Sequence, residues 1–226
     1  MTAAETTFRL LADDKVLHFS DGYRTKKQEL GDIGFRILRV GEVQEGFIVE
    51  PADAEYVREE FRSKIRSKLS QAGDIVVTTK GTVGRRAWVT RDFAGCVYSP
   101  QVCYFRVISS DELDPFYLYF WLGSREFKRQ LDAFKAQTDM ADYVSLRDMA
   151  DVEITVPPVD RQREVSVLLR TILQMEQAHR RASSGWSGVG STMFDLLTSL
   201  PDETADAMIA AVVAGLPSTA LAPEHG

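Results

Sequence analysis

The stretch GDIVVTTKGTVGRRAWV (Gly73–Val89) sets three glycines and two adjacent threonines among lysine and arginine. A phosphate-cradling Walker loop would need its lysine directly after the second glycine, in G-x-x-x-x-G-K-[ST]. Here Lys80 precedes Gly81, and no helical pattern follows the turn. Gly81 and Gly84 form only G-x-x-G, which also excludes the dinucleotide fingerprint. DIVVTT reads instead as a short buried strand, Gly81–Gly84 as a tight turn, and RRAWV as the antiparallel return. Both glycines suit a turn that requires positive φ.

Working outward, FRILRVGEV (Phe35–Val43) reads as a strand. Val57, Phe61, Ile65 and Leu69 recur every four residues, which predicts a helix capped by Asp53 and ended before Gly73. VCYFRVI (Val102–Ile108) is a strand with Val102, Tyr104, Arg106 and Ile108 on one face and Cys103, Phe105 and Val107 on the other. Asp114 and Pro115 open a predicted helix running to Phe134, with Trp121 in the core, as Trp88 should also be. SLRDM reads as a short turn before the strand VEITVPPV, stopped by Pro157 and Pro158. Val165, Leu168, Ile172, Met175 and His179 then recur at spacings of three and four. A helix of about 22 residues would span roughly 33 Å, with a narrow stripe suited to packing on other helices.

The net charge of −6 would suggest no polyanion partner, but its distribution is uneven. Between Phe61 and Arg91 eight basic residues (Arg62, Lys64, Arg66, Lys68, Lys80, Arg85, Arg86, Arg91) face one acid, Asp74. Arg24, Lys26 and Lys27 form a second group after the Asp21-Gly22 turn. For the helix-borne residues of the first group a solvated face and a contact surface both stay open. The start, MTAAETTFRLLADDK, lacks the pattern of a signal peptide, and no apolar run is long enough for a membrane span, so a cytoplasmic protein without membrane contact is expected.

Catalytic groups are scarce. The cysteines, Cys96 and Cys103, read as buried thiols, since His18, His179 and His225 lie far away and no metal-ligand spacing appears. No paired carboxylates stand near Lys80 for a magnesium nuclease. ITVPPV departs from the Asn/Asp-Pro-Pro-aromatic segment of amino-directed DNA methyltransferases at Val156 and Val159. What remains suits contact with a nucleic acid. Thr78, Thr79 and Thr82 offer hydroxyls, Lys80, Arg85 and Arg86 offer charge, and GYRTKK adds Tyr23, Arg24, Lys26 and Lys27. Gln137, Thr138 and Tyr143 fall in a polar loop that could read or stack on bases, or could be a plain connection.

In order, GYRTKK, ILRVGEVQEGFI, GDIVVTTKGTVGR, LDPFYLYFWLGS, QTDMADYVSLRDM and ITVPPVDRQREV resemble the DNA-specificity subunits of type I restriction–modification systems, over about Phe8 to Arg181. The resemblance implies a mixed α/β (α+β) target-recognition domain at 1–157 and a spacer or coiled-coil helix at 158–182. The tail at 183–226 does not resemble the second half of a usual member and reads as a partner-docking or partly disordered helical segment, or one that folds back on the spacer helix. The resemblance also implies a non-catalytic subunit that reads double-stranded DNA and directs an adenine-specific DNA methyltransferase, with S-adenosylmethionine on that partner and no cofactor or metal here. A restriction subunit is a further implied partner. Usual members carry two recognition domains and two spacer helices, whereas this chain shows one of each and no internal repeat. Two copies could therefore pair through Val165, Leu168, Ile172 and Met175, or one copy could serve a single methyltransferase. A scaffold of an anti-phage defence complex that has lost DNA reading is the competing expectation, and a stand-alone regulator a third.

Overall fold

The computed structural model describes residues 3–137 and 143–182 together with Asp195, with backbone alone for 172–182. The chain starts with β1 (Ala4–Thr7), α1 (Phe8–Asp13) and β2 (Leu17–Asp21). Short strands follow: β3 (Leu30–Gly31), β4 (Phe35–Leu38), β5 (Val43–Gln44), β6 (Phe47–Ile48) and β7 (Tyr56–Val57). After the single turn α2 (Arg62–Ile65) come β8 (Ile75–Thr78), β9 (Arg86–Trp88), β10 (Val97–Tyr98) and β11 (Val102–Val107). The last third holds α3 (Pro115–Trp121), α4 (Arg125–Ala136), α5 (Leu146–Ala150), β12 (Glu153–Val156) and α6 (Val159–Ala182).

The central sheet runs β2-β11-β8-β9, antiparallel throughout. Successive side chains of a strand point to opposite faces, and here both faces are covered. Ile75, Val77, Cys103 and Phe105 pack toward the helices, against Phe8, Leu118, Trp121 and Phe127. Val76, Val102 and Tyr104 face the other way, onto Leu38, Val43, Ile48 and Tyr98. That is why Ile75, Val76 and Val77 are apolar without interruption. A smaller sheet, β10-β4-β7-β3, carries a third cluster of Ile37, Val57, Ile65 and Val97.

One polar knot lies beside these layers. Asp74, 1% exposed, accepts from Arg106 Nε and Nη2 (both 2.7 Å), Tyr98 Oη (2.8 Å) and Gln71 N (2.8 Å). A buried carboxylate so fully paired avoids the penalty of an isolated charge. Burial, with the Asp74 charge next, pushes the Tyr98 phenol well above its ordinary range. Cys96 and Cys103 are buried free thiols, and burial raises both above the usual thiol range.

Four sequence expectations change. The helix from Asp53 to Leu69 is instead β7, a 3-10 turn at Glu59–Phe61, α2 and a second 3-10 turn at Arg66–Lys68. Val57, Phe61, Ile65 and Leu69 do pack together, but around the third cluster rather than along one helix. The strand from Phe35 ends at Leu38, because Glu42 folds back to accept from Arg39 N (3.2 Å) and pairs with Arg36. The helix opened by Asp114 breaks at Gly123, where Ser124 accepts from Phe127 N (3.2 Å) and starts α4. SLRDM, read as a turn, is α5, closed by a reciprocal cap between Ser145 and Asp148.

The double proline is followed by α6 as expected, but its first turns belong to this domain. Gln162, fully buried, accepts from Asp114 N (2.8 Å) and donates to the carbonyls of Pro157 (2.7 Å) and Glu112 (2.9 Å). Val165 is 4% exposed and Leu168 1%, both in the core beside α3. As partner-interface residues these two are corrected, since their own chain covers them. The side chains of Ile172 and Met175 lie outside the described residues.

Candidate nucleic-acid interface

Register decides what shares one end of the central sheet. Cys103 pairs with Asp21, Val102 with Thr78, and Val77 with Arg86. The segment after Asp21, the turn before Val102 and the loop Thr79–Arg85 therefore all leave the same end. Strands lie about 4.8 Å apart, so the loops of β2 and β8 emerge roughly 10 Å from each other, within the span of a DNA major groove of about 12 Å. Tyr143 bridges Lys80, and Val144 N donates to Thr79 O (3.0 Å). That brings Tyr143 to this end as well.

Each loop is held from beneath. Tyr23 N donates to Tyr98 O (2.7 Å), fixing the start of the first loop. Glu29, buried, accepts from Lys26 N (2.9 Å), Tyr23 Oη (3.1 Å) and Lys64 Nζ (3.2 Å). The backbone hydrogen bond from Lys26, foremost, holds the Glu29 carboxyl below its ordinary range, against the opposing effect of desolvation. Lys68 Nζ straps the adjoining turn to Asp21 O (2.8 Å) and Asp21 Oδ1 (3.1 Å). In the second loop Gly81 and Gly84 take φ of 75° and 89°, the left-handed conformation that a Cβ disfavours.

Several expected contact residues turn out to be supports. Thr78 is fully buried; its Oγ1 accepts from Arg85 N (3.0 Å) and donates to Thr82 O. Thr79 is also buried. Arg86, 3% exposed, is the largest correction. Its Nε donates to Tyr119 O (2.8 Å), its guanidinium lies 4.7 Å from the centre of the Tyr119 ring, and it pairs with Glu45. A Cβ on Gly123 would sit 2.0 Å from the Arg86 Cζ, which explains that glycine. Tyr23 is half-buried, its ring packed on the third cluster and its hydroxyl given to Glu29.

Exposed at this end stand Arg24, Lys26, Lys27, Lys80 and Thr82, with Arg85 and Tyr143 half-exposed; Gln137 is exposed at the end of α4. Among the described residues Arg24, Lys26, Lys27 and Lys80 have no ion-pair partner. By contrast Arg62 pairs with Glu59, Lys64 with Glu29, Lys68 with Asp21 and Arg86 with Glu45. The basic run of the sequence thus divides into straps and uncompensated charge. Thr138 lies outside the described residues. The sequence reading missed Gln44, whose Oε1 accepts from Arg85 Nη1 (3.2 Å) and whose Nε2 donates to Gly41 O (2.8 Å). Its position, 41 residues before Arg85, left no local signal.

A cleft on the flank of this end is lined by Arg39, Glu42, Asp53, Glu55 and Gln101, with Arg39 paired to Glu55. Its mixed charge suits no single-sign ligand. No helix among the described residues is long and apolar enough to cross a membrane.

Residues 15–181 match the family model described as "Type I restriction modification DNA specificity domain". A chain from a structure titled for complex assembly and conformational transition of the type I R-M system is 14% identical with TM-score 0.56, covering 92% of this chain and 45% of that one. The HsdS subunit from Thermoanaerobacter tengcongensis is 16% identical with TM-score 0.56, covering 86% of this chain and 43% of its own. This chain thus spans less than half the length of the solved structures it matches, and at such identity the likeness is one of fold. No curated protein matches the chain.

Proposed function

The chain belongs to the type I restriction modification DNA specificity domain family, and from that premise we propose that it is the DNA-recognition subunit of a cytoplasmic methylation or restriction complex. The observation that carries this reading is the convergence of the segment after Asp21, the loop Thr79–Arg85 and Tyr143 at one end of the central sheet, where Arg24, Lys26, Lys27 and Lys80 have no ion-pair partner among the described residues. Groups of this kind fix register on phosphates, while Arg85, Gln137 and Tyr143 between them suit base edges. In a protein of net charge −6, four exposed cations at one end of the sheet, without ion-pair partners among the described residues, favour contact with a polyanion there.

In this reading the chain supplies the address and an adenine-specific methyltransferase the chemistry, with S-adenosylmethionine bound by that partner. The part of α6 that includes Ile172 and Met175 pairs with a second copy or with the methyltransferase, and a restriction subunit joins the same complex. A single recognition domain doubled by a twofold axis would read a palindromic split site.

The test is binding of the full chain, alone and with its cognate methyltransferase, to a randomised duplex pool across a salt series. Enrichment of one motif, with affinity falling steeply as salt rises, is expected. A tight protein complex with no measurable DNA affinity would select the scaffold function instead.

A further inference from the structure

We infer that Arg85 is a specificity-determining residue that reads a guanine edge, and that Gln44 is the positioning residue that presents its guanidinium; the inference rests on the DNA-recognition reading above. Adjacent arginines 85 and 86 are held by adjacent residues of the β5–β6 turn, Gln44 and Glu45, and the two pairs differ in kind. Arg86 meets a carboxylate, is buried and is spent on the core. Arg85 meets a neutral amide oxygen (3.2 Å), stays half-exposed and keeps its full charge.

Everything else about Arg85 is fixed before any ligand arrives. Its backbone N–H donates to Thr78 Oγ1 (3.0 Å) and its carbonyl accepts from Thr78 N (2.8 Å), so Cα cannot drift. Gln44 is itself tied by its amide nitrogen to Gly41 O (2.8 Å), which sets the amide so that its oxygen faces Arg85. The β5–β6 turn is pinned to the same strand by Gly46 N donating to Arg86 O (2.7 Å). A guanidinium carries five N–H donors, and Gln44 engages one nitrogen, which leaves a planar fork for a pair of acceptors. The O6 and N7 atoms of guanine in the major groove form such a pair.

A phosphate contact would need none of this preparation. Lys80, exposed on the same hairpin without an ion-pair partner among the described residues, is a point charge suited to phosphate. Holding an arginine with a neutral partner fixes its plane without cancelling its charge, and fixing the plane is what base discrimination requires.

The deciding experiment compares wild type, Arg85→Lys and Gln44→Ala as full chains on the randomised duplex pool, with thermal unfolding measured in parallel. Arg85→Lys keeps the charge and loses the fork. It should bind the whole pool within about threefold of wild type yet lose its preference for one G·C pair by about 5- to 150-fold. Gln44→Ala should weaken the preference at that same pair while the melting temperature and the salt slope stay put. If Arg85→Lys selects the wild-type motif unchanged, Arg85 is a phosphate contact and the inference is overturned. If Gln44→Ala leaves the preference intact, its positioning role is overturned. A wild-type chain that enriches no motif overturns the recognition reading itself, and this inference with it.

Discussion

Replacing Arg86 with methionine separates the two roles that a basic residue beside the hairpin can have. The side chain is 4% exposed, while its partner Glu45 is 32% exposed and can regain water once the pair is broken. Most of the loss therefore falls on the other contacts. The Tyr119 carbonyl loses its donor at 2.8 Å, and the Tyr119 ring loses a desolvated cation at 4.7 Å. An orphaned buried acceptor costs about 1–3 kcal/mol and a desolvated cation–π contact about 2 kcal/mol. Methionine restores part of the packing, so a net destabilisation of about 3 kcal/mol is expected, at the lower edge of what breaking a buried pair costs. For a domain of this size that lowers the melting temperature by about 6–12 °C. Calorimetry or urea unfolding gives this number, and DNA titration across a salt series gives the other half of the test. Below the melting range the salt slope should equal that of wild type, because a buried guanidinium releases no DNA counterions. A melting temperature within about 1 °C of wild type, together with a slope reduced by about 0.9, would show that Arg86 touches phosphate and that its burial has been misread.

Lys80→Ala should do the reverse, reducing the salt slope by about 0.9 with stability within about 0.5 kcal/mol of wild type, as salt titration and thermal unfolding would show. Asp74→Asn removes the charge to which Arg106 and Tyr98 are bound, and urea unfolding should register a loss of about 3 kcal/mol. Glu29 gives a pH signature. Its folded carboxyl titrates below the ordinary 4.5, so its contribution is full above that value and is lost as pH falls through the depressed one. The stability difference between wild type and Glu29→Gln should therefore be constant at neutral pH and narrow below about pH 4.5, with exchange protection around Lys26 fading in parallel. A difference that widens on acidification would reverse the assigned sign.

The order of segments and the periodicity of the strongest elements were legible in the sequence. Ile75–Thr78 and Arg86–Trp88 pair as the stretch Gly73–Val89 indicates, and Gly81 and Gly84 take the positive φ that their turn demands. The two faces of Val102–Val107 also separate as their alternation predicts. Where apolar spacing was ambiguous the reading failed. Val57, Phe61, Ile65 and Leu69 recur at a helical interval, yet they meet by tertiary packing around Ile37 and Val97. The four-residue rhythm recorded a shared cluster, and a cluster can be reached by strand and turn as well as by helix.

Composition fixed where positive charge is abundant, because lysine and arginine carry it in any conformation. It could not say which cations are spent inside the protein. Arg85 and Arg86 are neighbours of identical chemistry, and the packing of the β5–β6 turn and α3 on the hairpin sends one toward Gln44 and half into solvent, the other onto Tyr119 and Glu45. Likewise Val165 and Leu168 show the stripe of an exposed pairing helix, but α3 lies against them. The sequence by itself determined the local elements and the inventory of charge, since both depend on residues near one another along the chain. The tertiary structure decided which loops share one end of the sheet, which arginine stays half-exposed and what covers the first turns of α6, since those depend on register and on neighbours tens of residues away.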